Sequence, residues 1–121
     1  MHNPPRILIV DDNATNRDII RARLAVHGFD LLEAVDGEAA LASARQHQPD
    51  LVLLDVMMPK LDGMEVCRQL KADPALPFIS VILITARMDS KDVAAGLDAG
   101  ADEYLTKPVD QVALVARVKS M

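Results

Sequence analysis

Five polar residues in this chain stand directly after short apolar runs. Asp11 and Asp12 follow Ile7-Leu8-Ile9-Val10, Asp55 follows Leu51-Val52-Leu53-Leu54, Thr85 follows Val81-Ile82-Leu83-Ile84, and Lys107 follows a weaker run from Glu103 to Thr106. Taken singly, a carboxylate in such a place is more often a helix cap or a turn former than a reactive group. The conjunction is harder to dismiss. Three carboxylates about 5 Å apart, at an effective dielectric of about 20, would repel by roughly 3 kcal/mol per pair. A domain of marginal stability needs a reason for that repulsion. A hard divalent cation supplies one, and Mg2+ suits the case because it takes oxygen ligands, keeps several waters and uses few protein carboxylates. Asp55 could then attack phosphorus through a carboxylate oxygen and form an aspartyl phosphate, with the metal and a cation neutralising the transferring group. Lys107 is the candidate cation, and Thr85 offers a hydroxyl that can donate to a phosphoryl oxygen.

The elements that must position these groups are legible around them. The apolar runs are continuous rather than alternating, as in strands covered on both faces, and Asp30 to Ala34 adds a fifth strand near an edge. Helical patterns lie between: Ala14 to Val26 with Ile20 and Leu24 four apart, and Gly37 to Gln46 with Ala40, Leu41 and Ala44 on one stripe and Asp36 as cap. Asp62-Gly63-Met64-Glu65 is a capping-box variant that starts a helix running to Ala72, with Pro74 and Pro77 in its exit loop. Ser90 can cap a helix carrying Val93, Ala94 and Leu97 and stopped by Gly100, and Asp110 can cap a last helix with Val112, Val115 and Lys119 aligned. Strand and helix alternate throughout, and parallel strands need helical crossovers, so the pattern specifies an open α/β sheet covered on both sides. In such sheets the ligand crevice lies beyond the carboxyl ends of the strands, where the five polar residues stand.

Composition narrows the function classes. The 121 residues fit one domain, half of them are apolar, and Phe29, Phe78 and Tyr104 are the only aromatics, so the core must be aliphatic. A formal net charge of -5 argues against direct binding to nucleic acid. Cys67 is the single cysteine, which rules out an internal disulfide and fits a reducing, cytoplasmic setting. It reads as an inert residue within the third helix, and Met58 and Met64 read as packing residues. His2, His27 and His47 lie at the terminus or near helix ends and read as neither ligands nor phosphocarriers. The start of the chain lacks the apolar stretch of a signal peptide, and no run approaches the ~18 residues needed to span a membrane.

The segments Val10-Asp11-Asp12, Leu54-Asp55-Val56-Met57-Met58-Pro59 with Asp62-Gly63, Ile84-Thr85-Ala86, and Tyr104-Leu105-Thr106-Lys107-Pro108 resemble, in order and spacing, a response-regulator receiver domain of two-component systems (CheY-like). The resemblance covers the chain from end to end. It implies a flavodoxin-like five-stranded parallel sheet of order 2-1-3-4-5 flanked by five helices. It further implies that Asp55 takes a phosphoryl group from a histidine kinase or phosphotransfer protein, and that Mg2+ is held by Asp11, Asp12, Asp55 and the backbone carbonyl of Met57. Thr85 would turn inward on phosphorylation while Tyr104 changes rotamer, altering a surface made by the fourth helix, fifth strand and fifth helix, through which a homodimer could form. Arg6 to Val10, Asp55 to Val66, Val81 to Ala86 and Leu114 to Met121 are similar to the first receiver of PleD-type diguanylate cyclases. A C-terminal output domain such as a diguanylate cyclase would then follow Met121; without one, the module would act as a diffusible adaptor or phosphoryl sink.

Several residues refine these expectations. Met57 and Arg87 stand two residues past Asp55 and Thr85, positions that in this family flank the approach of hydrolytic water. A thioether cannot orient that water as an amide or carboxylate can, so Met57 favours a long-lived phosphoryl state. The same substitution weighs against a Mg2+-dependent phosphatase with an aspartyl intermediate, which usually carries a second acid at that place. A scaffold that has lost phosphorylation is disfavoured because Asp11, Asp12, Asp55, Thr85 and Lys107 are all present. Proline after Lys107 biases the lysine away from helical geometry and leaves either peptide isomer open. Gly96 interrupts the helix begun at Ser90 at a cost of about 1 kcal/mol relative to Ala. It admits two readings: a segment that shifts between packings, or a close approach that a side chain would block.

Overall fold

Every apolar run forms a strand, and the sheet they build sets the place of each polar residue. The computed structural model describes the chain except Met1, Asn3, Pro59, Lys60, Arg87, Met88, Asp89, Pro108, Met121 and the side chains of residues 90–93. The expected roles of Arg87, the Ser90 cap and the Lys107-Pro108 isomer lie outside the described residues. The order is β1 (Arg6–Val10), α1 (Ala14–Ala25), β2 (Asp30–Ala34), α2 (Gly37–His47), β3 (Leu51–Asp55), α3 (Gly63–Ala72), β4 (Ser80–Thr85), α4 (Ser90–Asp98), β5 (Glu103–Thr106) and α5 (Gln111–Ser120). All strand pairs are parallel and the sheet runs β2-β1-β3-β4-β5. The order expected from the resemblance is the one observed.

Every residue of β3 and β4 is buried, which is why those runs are apolar without alternation. Side chains still alternate between two cores. Leu8, Val10, Val52, Leu54, Val81 and Leu83 face α2, α3 and α4, where Ala40, Val66 and Leu70 meet them. Ile7, Ile9, Leu51, Leu53, Ile82 and Ile84 face α1 and α5, where Ile20, Leu24, Leu114 and Val118 close the second layer. Asn13, Asp36 and Asp62 cap α1, α2 and α3, each accepting from an amide three residues on. The Asp110 carboxylate accepts from the Ala113 amide at the start of α5. Cys67 is buried in α3, where desolvation pushes its thiol pKa up to about 11.

Two helices each leave in solvent one apolar residue named in the sequence pattern. On α4, Leu97 is exposed while Gly96 is buried, as is Ala99 just past the helix end; on α5, Val112 is exposed while Leu114 and Val118 are buried. The small residues of α4 let it lie close to β5, and the Leu114–Val118 spacing puts one α5 stripe against β1, β3 and β4.

At the amino edge of the sheet, the Asp102 carboxylate accepts from the Val81 amide at 2.8 Å and from Lys71 Nζ at 2.7 Å, while Lys71 Nζ also donates to the Ile79 carbonyl at 2.7 Å. This ties α3, β4 and the start of β5 together. Replacing Asp102 with Ala leaves the Val81 donor without its acceptor, and a loss of about 1–3 kcal/mol is expected in urea unfolding. A surface change such as Lys119→Ala should stay within about 0.5 kcal/mol in the same assay.

Candidate functional site

The carboxyl ends of β1, β3, β4 and β5 bring the five polar residues together. Asp11 is 2% exposed, Asp55 4% and Thr85 1%, whereas Asp12 is exposed. Asp11, Asp12 and Asp55 each offer a carboxylate oxygen, and these atoms lie within 4.8 Å of one another. Lys107 Nζ sits between the two buried carboxylates, 3.3 Å from Asp55 Oδ1 and 3.4 Å from Asp11 Oδ2. The Lys107 amide donates to the Thr85 carbonyl at 2.7 Å, so the lysine stem leaves β5 in register with the end of β4.

Local backbone chemistry shapes each contributor. The Met57 amide donates to Asp55 Oδ1 at 3.2 Å, and the Asn13 amide to Asp11 Oδ1 at 2.9 Å, an Asx-type turn at the end of each strand. Gly63 opens α3 against the tip of β3: a Cβ there would collide with the Asp55 carbonyl and with Val56 Cα. Only glycine lets the helix start so near the strand. Met57 is 57% exposed and, with Asp12 and Asp62, lines an open cleft beside the cluster. Tyr104, three residues before Lys107, is buried at 5% exposure.

Two features of the site escape sequence reading. Arg17 Nη1 donates to the Asp11 carbonyl at 2.7 Å while its Nε pairs with Glu33 Oε1 at 3.2 Å, pinning the turn that carries both aspartates. Arg23 Nη1 likewise donates to the Val109 carbonyl at 2.6 Å, fixing the segment after Lys107. Both acceptors are backbone carbonyls, which no residue pattern announces.

Burial pushes the Asp55 pKa above its ordinary 3.8, and the Asp11 charge adds to that; Lys107 and the Met57 amide pull the other way. Oxygen donors alone, two of them buried and one at the solvent edge, match a hard divalent cation and fit Mg2+ better than a softer metal. A cation there would offset both the burial of the Asp55 charge and its repulsion from Asp11.

A parallel sheet in this order, with acids and one ammonium at its carboxyl edge, is the CheY-like form of the flavodoxin-like fold. The family model described as the response regulator receiver domain matches residues 7–119, and the chain belongs to that family. Response regulator PleD of Caulobacter vibrioides is 48% identical over 116 residues, 96% of this chain and 26% of that protein. The DNA-binding dual master transcriptional regulator RpaA of a Synechocystis strain is 44% identical over 117 residues, 97% of this chain and 48% of that protein. Vibrio cholerae chemotaxis protein CheY4 superposes with a TM-score of 0.90 at 26% identity, covering 96% of this chain and 97% of that one. The chain thus spans between about a quarter and a half of the two curated relatives' length. Among the described residues no helix is long and apolar enough to cross a membrane.

Because the folded Asp55 holds its proton more tightly than the unfolded chain does, its ionisation costs stability as pH rises from 3.8 through the folded value. In metal-free buffer at pH ~7, Asp55→Asn is expected to melt several degrees above the wild type, with the gap closing below pH ~4. Added Mg2+ should raise the wild-type midpoint more than that of the variant. Calorimetry with chelator or Mg2+ at the two pH values reads both effects.

Proposed function

We propose that Asp55 is the phosphoacceptor of this receiver and that its modification resets the surface around β5. The observation that carries this reading is a single buried carboxylate at the tip of the central strand, 3.3 Å from Lys107 Nζ and grouped with Asp11 and Asp12. An Asp55 carboxylate oxygen attacks the phosphorus of a phosphohistidine donor; the new O–P bond forms as the P–N bond breaks, and its electron pair leaves with the imidazole nitrogen. Lys107 neutralises the added phosphoryl charge from one side. Asp11, Asp12, Asp55 and the Met57 carbonyl would hold Mg2+, which would supply charge neutralisation for the phosphoryl group. Thr85, at the end of β4 beside Asp55, is the donor that senses the occupied acceptor, and Tyr104 relays the change to α4, β5 and α5.

The partner that delivers the phosphoryl group is a histidine kinase or phosphotransfer protein. A cleft of about 390 Å³ beside Asp11 and Lys107, walled by Ile19, Ile20 and Val109, gives a donor an apolar approach to the site. Residues 1–121 form one receiver domain working in the cytoplasm. The greater length of its relatives favours an output domain such as a diguanylate cyclase in the same protein, and without one the receiver is a diffusible adaptor or phosphoryl sink. The exposed Leu97 on α4 suits that switch surface for a homodimer. With a net charge of -5 the receiver itself does not contact nucleic acid.

The product of the chemistry is a signal rather than a released metabolite. Met57 is exposed two residues past Asp55 and can neither activate water nor protonate a leaving group, which prolongs the modified state.

Incubation with phosphoramidate or acetyl phosphate and Mg2+ should add one acid-labile phosphoryl group, visible by intact-mass spectrometry. Asp55→Asn should abolish the adduct; an unchanged adduct in that variant would refute the assignment. Met57→Glu should speed loss of the phosphoryl group by roughly 10-fold or more, toward the range of a positioned general base. A rate equal to or slower than wild type would remove Met57 from the account of signal lifetime.

A further inference from the structure

We propose that Gly96 is a positioning residue for Tyr104: its bare Cα forms the seat of the inward ring, and a side chain at this place displaces the ring and disengages the switch. The inference rests on the switch reading of Tyr104 given above. A Cβ built on Gly96 would lie 2.7 Å from Tyr104 Cε2, 2.9 Å from Tyr104 Cδ2 and 3.0 Å from Leu83 Cδ1. Contacts that short do not persist, so something must give.

The surroundings decide which group moves. Leu83 is fully buried in the centre of β4 and has no room to retreat. The end of α4 is held in place: the Ala101 amide donates to the Gly96 carbonyl at 3.2 Å, the Gly100 amide to the Leu97 carbonyl at 3.0 Å, and the Asp102 amide to the Val81 carbonyl at 2.9 Å. Gly100 itself rests on the Lys71 side chain, where a Cβ would lie 3.0 Å from Cγ. Tyr104 stands on β5, an edge strand, and its ring can turn outward about χ1. The ring is therefore the group that yields.

No backbone requirement explains the glycine. Gly28 and Gly100 have positive φ, whereas Gly96 is an ordinary helical residue in the interior of α4. Alanine would suit that helix better. What glycine provides here is space, and the space is filled by the residue that the switch reading moves. Of the two readings open in the sequence, close approach is the one the geometry supports, and the approach is made by Tyr104.

The chain has one tyrosine and no tryptophan, so its intrinsic near-ultraviolet emission reports on Tyr104 alone. The wild type should show emission shielded from acrylamide. Gly96→Ala should raise the quenching constant several-fold while Asp55 still accepts phosphate from phosphoramidate. A folded Gly96→Ala chain with Tyr104 as shielded as in the wild type overturns the proposal. A second arm reads coupling: Gly96→Ala should lower the melting midpoint when Tyr104 is present and raise it in a Tyr104→Ala background, where helix propensity alone acts. The same sign in both backgrounds also overturns it. Failure of the underlying reading looks different: beryllofluoride with Mg2+ would leave wild-type Tyr104 emission unchanged even though Gly96→Ala exposes the ring.

Discussion

The structure depends on two carboxylates removed from water at adjacent strand tips and left with one ammonium between them. Asp11 and Asp55 are almost fully buried, and Lys107 reaches both at 3.3–3.4 Å. One positive charge cannot balance two negative ones, so the cluster keeps an unmet demand for a cation, while burial first and the Asp11 charge second raise the Asp55 pKa. The sheet is what makes that arrangement tolerable. Parallel pairing sets the ends of β1, β3 and β4 side by side, and two aliphatic layers hold the strands in register against the repulsion. Stability lost at the carboxyl edge is offset by burial in the body of the sheet.

Much of this architecture was legible in the sequence, and the reasons are specific. Strands β1, β3 and β4 are covered on both faces, so their runs carry no polar residue and stand out. The caps Asp36, Asp62 and Asp110 announce their helices because a carboxylate satisfies amides that a helix leaves open. Strand β5 was faint because it is an edge strand of four residues with one of them buried. The inward faces of α4 and α5 are hard to read from residue size for a related reason. Gly96, Ala99 and Ala101 do the packing near β5 with little or no side chain, while larger Leu97 and Val112 stay in solvent. Size in the sequence is a poor guide where two elements approach closely.

The candidate site divides along the same line. Asp11, Asp12, Asp55, Thr85 and Lys107 could be picked out because strand ends in a parallel sheet must converge. Arg17 could not, since its partner is the Asp11 carbonyl and its anchor, Glu33, belongs to a neighbouring strand. Gly63 was visible as part of a capping motif, but its contact with the tip of β3 requires coordinates. Side-chain chemistry is written in residue types; support delivered to backbone atoms is not.

The burial of Cys67 has a practical side. With its thiol enclosed in α3 and held in the protonated form at neutral pH, the chain presents no competing nucleophile to a maleimide or a methanethiosulfonate. A cysteine introduced anywhere on the outer surface would therefore be the sole point of attachment for a spin label or fluorophore, and distances across the sheet could be tracked in solution without first removing the native one.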